Sequence, residues 1–418
     1  MRDVYIIGLG QTEVGEHWEI SLRHLAWQAV EAALKDAGFR SDTHSGAGSR
    51  THIKPEAMYV SNILAGQLSG QEHLGSLISD FCGLRWIEAA TIEAAGAGGG
   101  MALRQAYLAV ASGMMDTAIA VGVEKFTDKV GSSATAALAT ATDGDWEAAQ
   151  GATPTALAAL IMRRYMHDFD CTVADFAGFS VNAHANAKTN QYAMFHNTLT
   201  AEAFAKAAMV SDPVNMFDTA PDADGAAAVI VASADFVETQ HVETQHPAPF
   251  HFGDYRVGSL RRPLIRIAGS GAATDTLAVH DRSDPLFFHA AALSAGRAFK
   301  QAGIEPKDVQ VLELHDAYTV YAALSLEATG FAARGFGWQM ASNGGISLKG
   351  QTPISTFGGL KARGNPGGAT GLYQIVESSL QLRGEAGANQ VTAPRRAMAQ
   401  CLGGAAATAV THILERLE

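Results

Sequence analysis

Short uninterrupted apolar runs alternate along the chain with longer stretches of helical spacing. Val4 to Ile7, Ala118 to Val123 and Ala226 to Val231 have the length and continuity of strands covered on both faces. Leu22 to Leu34 and Met101 to Val110 carry helical periodicity and abundant Ala, whose small side chain lets a helix approach its neighbours closely. Strand-like and helix-like runs taking turns predict an α/β protein with a mostly parallel sheet.

The same order of elements occurs twice. In the first half a strand precedes the helix His24-Leu-Ala-Trp-Gln-Ala-Val-Glu-Ala-Ala-Leu-Lys-Asp-Ala-Gly38, and a strand follows at Ala57 to Ser61. In the second, Leu264-Ile-Arg-Ile-Ala-Gly269 precedes the helix His289 to Gly303, and Val309-Gln-Val-Leu-Glu-Leu314 follows. Both helices end on Ala-Gly, where Gly supplies a left-handed C-terminal cap. A duplicated βα unit is the economical reading. Between the halves, Asp128 to about Asn215 begins with the small, polar stretch Ser132 to Gly144. It later alternates Asn182, His184, Asn186, Lys188 and Asn190. A connection of that length is expected to cover or build a site. Glu238 to Arg256, with its repeated Glu-Thr-Gln-His, reads as a linker, and His241 and His246 there are weak metal candidates.

Composition narrows the function by exclusion. The 418 residues are 47% hydrophobic and 17% charged, as in a well-buried globular protein. A net charge of -12 is the opposite of the basic footprint of a nucleic-acid or anionic-membrane binder. Cys82, Cys171 and Cys401 are far apart and odd in number, which supports neither a disulfide framework nor a zinc site and fits a reducing, cytoplasmic setting. No metal is expected. The N-terminus has no signal-peptide form, and no stretch reaches the roughly 18 to 20 apolar residues of a membrane span.

Four segments carry the chemistry: Glu93-Ala-Ala-Gly-Ala-Gly-Gly-Gly-Met-Ala-Leu-Arg104, Glu313-Leu-His-Asp-Ala-Tyr318, Gly358-Gly-Leu-Lys-Ala-Arg-Gly-Asn-Pro-Gly-Gly-Ala-Thr-Gly371 and Cys401-Leu-Gly-Gly404. In this order and spacing the chain resembles the thiolase superfamily, in particular the sterol-carrier-protein-type and archaeal acetyl-CoA acetyltransferase-like branch. The likeness extends to Gly122-Val-Glu-Lys125 and Asp224-Gly-Ala-Ala-Ala228. It implies a five-layer αβαβα fold of two duplicated halves: 1–127 with 216–255, and 256–418. Residues 128–215 would form a loop domain over the CoA site. It also implies a homodimer or dimer of dimers, no tightly bound cofactor, and a coenzyme A thioester as substrate.

Two positions depart from the family. Its nucleophilic Cys, which a helix N-terminus favours as thiolate, is here Gly96. Its activating His beside the Gly–Pro step is here Asn365. Glycine cannot form an acyl-enzyme. His315 matches the family residue that polarises a thioester carbonyl, and the Asn365 amide can donate beside it, so the two together are expected to form a two-donor oxyanion hole. Gly364, Gly367, Gly368, Gly403 and Gly404 are expected to let the backbone close around the substrate. Cys401 matches an acid/base position, while Asp316 and Tyr318 are expected to order the His315 loop. Gly96 and Gly98 are expected to leave room for a bulky substrate.

The resulting expectation is enolate carbon–carbon chemistry of aldol or retro-aldol type on an acyl-CoA, without covalent catalysis. Thiolase-like proteins that cleave steroid side chains resemble this pattern and work with zinc-ribbon/OB-fold partner subunits. An acetyl-CoA C-acyltransferase and a non-catalytic acyl-CoA-binding scaffold are the alternatives. A dinucleotide site at Gly8-Leu-Gly10 fails for want of the third glycine.

Overall fold

In the computed structural model, which describes residues 1–39, 54–129, 131–242, 254–257 and 260–417, the apolar runs become the buried strands of one large sheet. The main strands are β1 (Val4–Gln11), β2 (Ala57–Ser61), β3 (Glu88–Ile92) and β4 (Thr117–Glu124). A small hairpin, β5 (Met209–Ser211) and β6 (Val214–Asn215), precedes β7 (Gly225–Ser233), and a second, β8 (Asp254–Val257) and β9 (Leu260–Pro263), leads into the later strands. These are β10 (Ile265–Thr274), β11 (Val311–Glu313), β12 (Arg396–Gly403) and β13 (Thr408–Arg416).

The nine-stranded sheet runs β11-β12-β13-β10-β1-β7-β4-β2-β3. Only β2–β3, β2–β4 and β11–β12 are parallel, so the sheet is mixed and the expectation of a mostly parallel one is corrected. An apolar run buried on both faces specifies burial and says nothing about strand direction.

The duplication is visible in register. In the β1–β7 pair the register shifts between Ile6 and Gly8, and in β10–β13 it shifts at the equivalent place between Ile267 and Gly269. Helices α1 (Leu22–Asp36) and α9 (His289–Ala302) lie on these strands. A Cβ on Gly10 would collide with the Ala29 carbonyl of α1, and one on Gly271 with the Ser294 carbonyl of α9. Gly8-Leu-Gly10 is therefore a helix-packing device, and its counterpart is Gly269-Ser-Gly271. Past the two helices, Gly38 and Gly303 take φ of 76° and 69°, the left-handed conformation foreseen for them.

Three apolar clusters define the layers. One joins α1 and α2 (Leu74–Phe81) to the outer face of the first-half strands. A second joins strands of both halves to α3 (Gly98–Ala111) and α11 (Thr370–Arg383), which are thereby sandwiched in the middle. A third packs α9 and α10 (Thr319–Ala328) outside the second half.

The segment between β4 and β7 is more helical than its composition suggested. It holds α4 (Ser132–Ala139), α5 (Pro154–Phe169), α6 (Ala177–Ala187) and α7 (Ala201–Ala205). The Ala content of Ser132 to Gly144 sustains a helix despite its hydroxyl residues. α8 (Ala234–Val242) covers the start of the stretch read as a linker; His246 and the side chain of His241 lie outside the described residues. Among the described residues no helix is long and apolar enough to cross a membrane.

Candidate active site

At the end of β3 the chain turns through a short 3₁₀ segment, Ala95–Ala97, into α3. Ala95 adopts φ of 47°, a left-handed conformation that costs a residue with a Cβ about 1 kcal/mol or more. Gly96 follows at the wall of a cavity of about 260 Å³. A Cβ built on Gly96 would lie 2.6 Å from the Leu402 carbonyl oxygen, 2.8 Å from His315 Cε1 and 3.2 Å from His315 Nε2. The turn, His315 and the end of β12 thus meet around a place where no side chain fits. Gly98 faces away from the cavity, and a Cβ there would strike the Ser61 hydroxyl. The extra room expected from these two glycines is absent at their Cβ places, which the Leu402 carbonyl and the His315 imidazole take at Gly96 and the Ser61 hydroxyl takes at Gly98.

His315 leaves β11 and reaches the cavity. Burial, with the nearby Arg363 guanidinium acting in the same direction, pushes its pKa down to about 3, so the ring is neutral at working pH. A neutral imidazole has one N–H to donate. Asp316 points away from the cavity: its carboxylate accepts from the Leu360 N–H at 2.7 Å and the Ser355 hydroxyl at 3.2 Å. It ties the His315 turn to the loop that carries Asn365. The polar alternation in and just after α6 serves that loop too, since Asn182, Asn186 and Asn190 donate to the carbonyls of Ile354, Ser355 and Phe357 at 3.1, 3.0 and 2.9 Å.

Asn365 lines the same cavity. The Thr370 hydroxyl donates to its Oδ1 at 2.9 Å, which leaves Nδ2 as a donor. Gly364 before it takes φ of 107°, and a Cβ there would be 2.6 Å from Val14 Cγ1. Gly367 lines the cavity, whereas Gly368 donates its N–H to Glu124 at 3.0 Å. The buried Glu124 carboxylate also accepts from the Ile63 and Leu64 N–H groups at 2.9 and 3.1 Å and so joins the first-half loops to this turn. Gly404 borders the cavity, and Gly403 lies against the Ala94 carbonyl.

Cys401 is not brought to the cavity with His315 and Asn365. Alternation along β12 directs Leu402 to the cavity and the Cys401 side chain to the opposite face, where it is fully buried with Ala97 and Val410. Burial raises its thiol to about 12, the wrong direction for a proton acceptor near neutrality. Cys82 and Cys171 are likewise pushed up to about 12 by burial and are remote from the cavity lining. No cysteine is among the described residues that line the cavity, and no group of three metal-ligating side chains occurs among the described residues.

Sequence reading missed Asp222, the one carboxylate among the described residues of the cavity wall. It stands two residues before the Asp224-Gly-Ala-Ala-Ala228 segment, and its proximity to that segment was the available signal. Tyr318 and Tyr321 line the wall beside it, and the Tyr318 hydroxyl lies 3.0 Å from that of Thr155.

Two duplicated halves meeting at a glycine-walled cavity that His315 and Asn365 both line define the class. Comparison with known proteins places the chain within it. Residues 4–235 match the thiolase N-terminal domain family and residues 271–416 the thiolase C-terminal domain-like family. The chain belongs to the thiolase family. It is 40% identical over 416 residues, covering 100% of both chains, to an acetyl-CoA acetyltransferase of Methanothermobacter thermautotrophicus. It is 31% identical to the benzoylsuccinyl-CoA thiolase subunit BbsB of Thauera aromatica, covering 96% of this chain and 95% of that one. Among solved structures it resembles the Ltp2-ChsH2(DUF35) aldolase, with a TM-score of 0.78 and 21% identity over 99% of this chain and 98% of the other. Human mitochondrial 3-ketoacyl-CoA thiolase in complex with CoA matches with a TM-score of 0.72 and 17% identity, covering 100% and 98% of the two chains.

Proposed function

We propose that this protein makes or breaks a carbon–carbon bond of an acyl-CoA through its enolate, in an aldol or retro-aldol reaction without an acyl-enzyme. The carrying observation is the crowding at Gly96: the turn that would present a nucleophile has no side chain, and His315 and the Leu402 carbonyl fill the place of a Cβ. His315 and Asn365 remain as neutral donors in the lining of one cavity, suited to an oxygen that gains negative charge as the enolate forms. The aldolase among the fold neighbours supports this reading, and its DUF35 component supports a partner subunit, which we propose is of the zinc-ribbon/OB-fold kind. We expect the protein to act as a homodimer, alone or with that partner.

Purified protein, with and without the products of neighbouring genes, should convert members of a 3-hydroxyacyl-CoA panel into a shorter acyl-CoA and a carbonyl compound, read by mass spectrometry. His315→Ala should lower kcat about 10²–10³-fold with little change in acyl-CoA affinity, because its bond strengthens mainly in the transition state. Unchanged turnover in that variant would remove His315 from the mechanism. The acetyl-CoA acetyltransferase reading is favoured by the 40% identity to the Methanothermobacter enzyme. It requires a covalent acyl adduct, so intact-mass analysis after acetyl-CoA exposure separates the two.

A further inference from the structure

The strap that leads into β7 carries three aspartates, and their surroundings differ. Asp218 accepts from the Asn215 N–H at 3.0 Å and from the Thr319 hydroxyl. Asp224 accepts from the N–H groups of Phe126, Thr127 and His17 and from the Thr127 hydroxyl, and it pairs with Lys125 at 2.8 Å. Both are saturated and hold loops together. Asp222, between them, lines the cavity, and its carboxylate has no hydrogen-bonding partner among the described residues. Protein surrounds it closely, yet its side chain is open to the cavity.

Its position relative to the oxyanion donors is built in. Asp222 forms a parallel bridge with Asn365, and Thr219 on the same strap forms an antiparallel bridge with Tyr318. The Asn365 N–H donates to the Pro221 carbonyl at 3.0 Å, and the Ala223 N–H to the Asn365 carbonyl at 3.3 Å. A carboxylate without a structural duty thus stands on backbone that is bonded to the backbone of the residue proposed to bind the enolate oxygen.

We propose that Asp222 is the general base of the reaction, an assignment that rests on the enolate reading above. In the cleavage direction its carboxylate takes the proton of the substrate's 3-hydroxyl. The C2–C3 bond breaks as the C3–O bond becomes a carbonyl, and the electron pair passes to the enolate whose oxygen His315 and Asn365 hold. After the carbonyl product leaves, the Asp222 carboxylic acid returns the proton to C2. The shorter acyl-CoA and the carboxylate are the result, with no other reactant needed. The aldol direction is the reverse. The protein packed around it desolvates the Asp222 carboxyl and raises it to about 6, nearer to a working pH than a carboxylate in free solution. Of the other titratable groups facing the cavity, His315 is neutral above about pH 3, and burial keeps the Tyr318 and Tyr321 phenols protonated.

The test is the half-reaction on the product side, which needs no knowledge of the full substrate. Acetyl-CoA and propionyl-CoA are incubated with the protein in D₂O, and deuterium uptake at C2 is followed by mass spectrometry. Uptake by the wild-type protein should decline as pH falls below about 6. In Asp222→Asn it should fall by about 10² or more, with thermal midpoint and acyl-CoA affinity retained, while Asp222→Glu recovers part of it. Uptake by Asp222→Asn within a few-fold of wild type would overturn the base assignment and leave the enolate reading standing. A wild-type protein that binds both thioesters and exchanges neither would overturn the enolate reading, and the base with it.

Discussion

At Gly96 the surrounding atoms have closed over the space that a side chain would need. A Cβ there meets a backbone carbonyl at 2.6 Å, and the carbonyl belongs to β12, which cannot move without its sheet partners. Gly96→Cys should therefore fail twice. The new thiol lacks the activating histidine of a thiolase, because Asn365 in that place takes no proton and His315 is already crowded by the same Cβ. Overpacking should also destabilise the fold by about 1–3 kcal/mol. We expect a lowered thermal midpoint and no efficient thiolysis of acetoacetyl-CoA by this variant. Robust thiolysis would show that the cavity relaxes around residue 96 and that Asn365 is no obstacle.

At the scale of elements, the site depends on two helices crossing almost backbone to backbone. A Cβ on Gly371 of α11 would sit 2.5 Å from the Gly100 nitrogen of α3, and one on Gly100 would sit 2.5 Å from Cys401 Sγ. These glycines belong to the segments that carried the family likeness, and at the crossing they permit close approach. Cys401 fills the remaining gap as a small apolar side chain. Cys401→Ala should then leave turnover intact and cost roughly 1 kcal/mol in stability. Gly100→Ala should cost more alone than in the Cys401→Ala background, where the thiol no longer obstructs it. A large loss of kcat in Cys401→Ala would return Cys401 to proton transfer; additive stability losses would deny the packing conflict.

For the whole molecule, burial of titratable groups couples stability to pH. His412 is fully buried, and its Nε2 lies 2.9 Å from the Gly100 carbonyl. Burial lowers its pKa to about 4. Unfolding exposes a histidine of ordinary pKa near 6.5, so the unfolded chain binds the proton that the folded chain refuses. The stability due to the neutral ring is complete above about pH 6.5 and is lost as pH falls toward about 4. Glu124, which burial raises to about 7, acts in the opposite sense: its favourable share is present at low pH and is lost as pH rises through that value. Comparison with His412→Asn isolates the first effect. The variant should close its gap in thermal midpoint to the wild type between pH 7.5 and 4.5. A gap independent of pH would show that His412 does not titrate across this range.

Much of this architecture was legible along the chain, because burial on two faces and helical periodicity are local patterns that survive folding. β1, β4, β7, α1, α3 and α9 lie where the apolar runs and helical spacing placed them, and the repeated Ala-Gly helix ends marked the duplication. The segments around Gly96, His315 and Asn365 could also be picked out, since glycines at fixed offsets carry a strong signal. Strand direction was not legible, because antiparallel and parallel strands bury the same residues. Nor was the orientation of Cys401, which depends on which face of β12 turns toward α3. Asp222 shows the difference most sharply: Asp218, Asp222 and Asp224 are chemically identical in sequence. Only the folded chain saturates two of them with donors and leaves the third facing a cavity, because hydrogen-bond satisfaction is decided largely by segments distant in sequence, such as Phe126, Thr319 and His17.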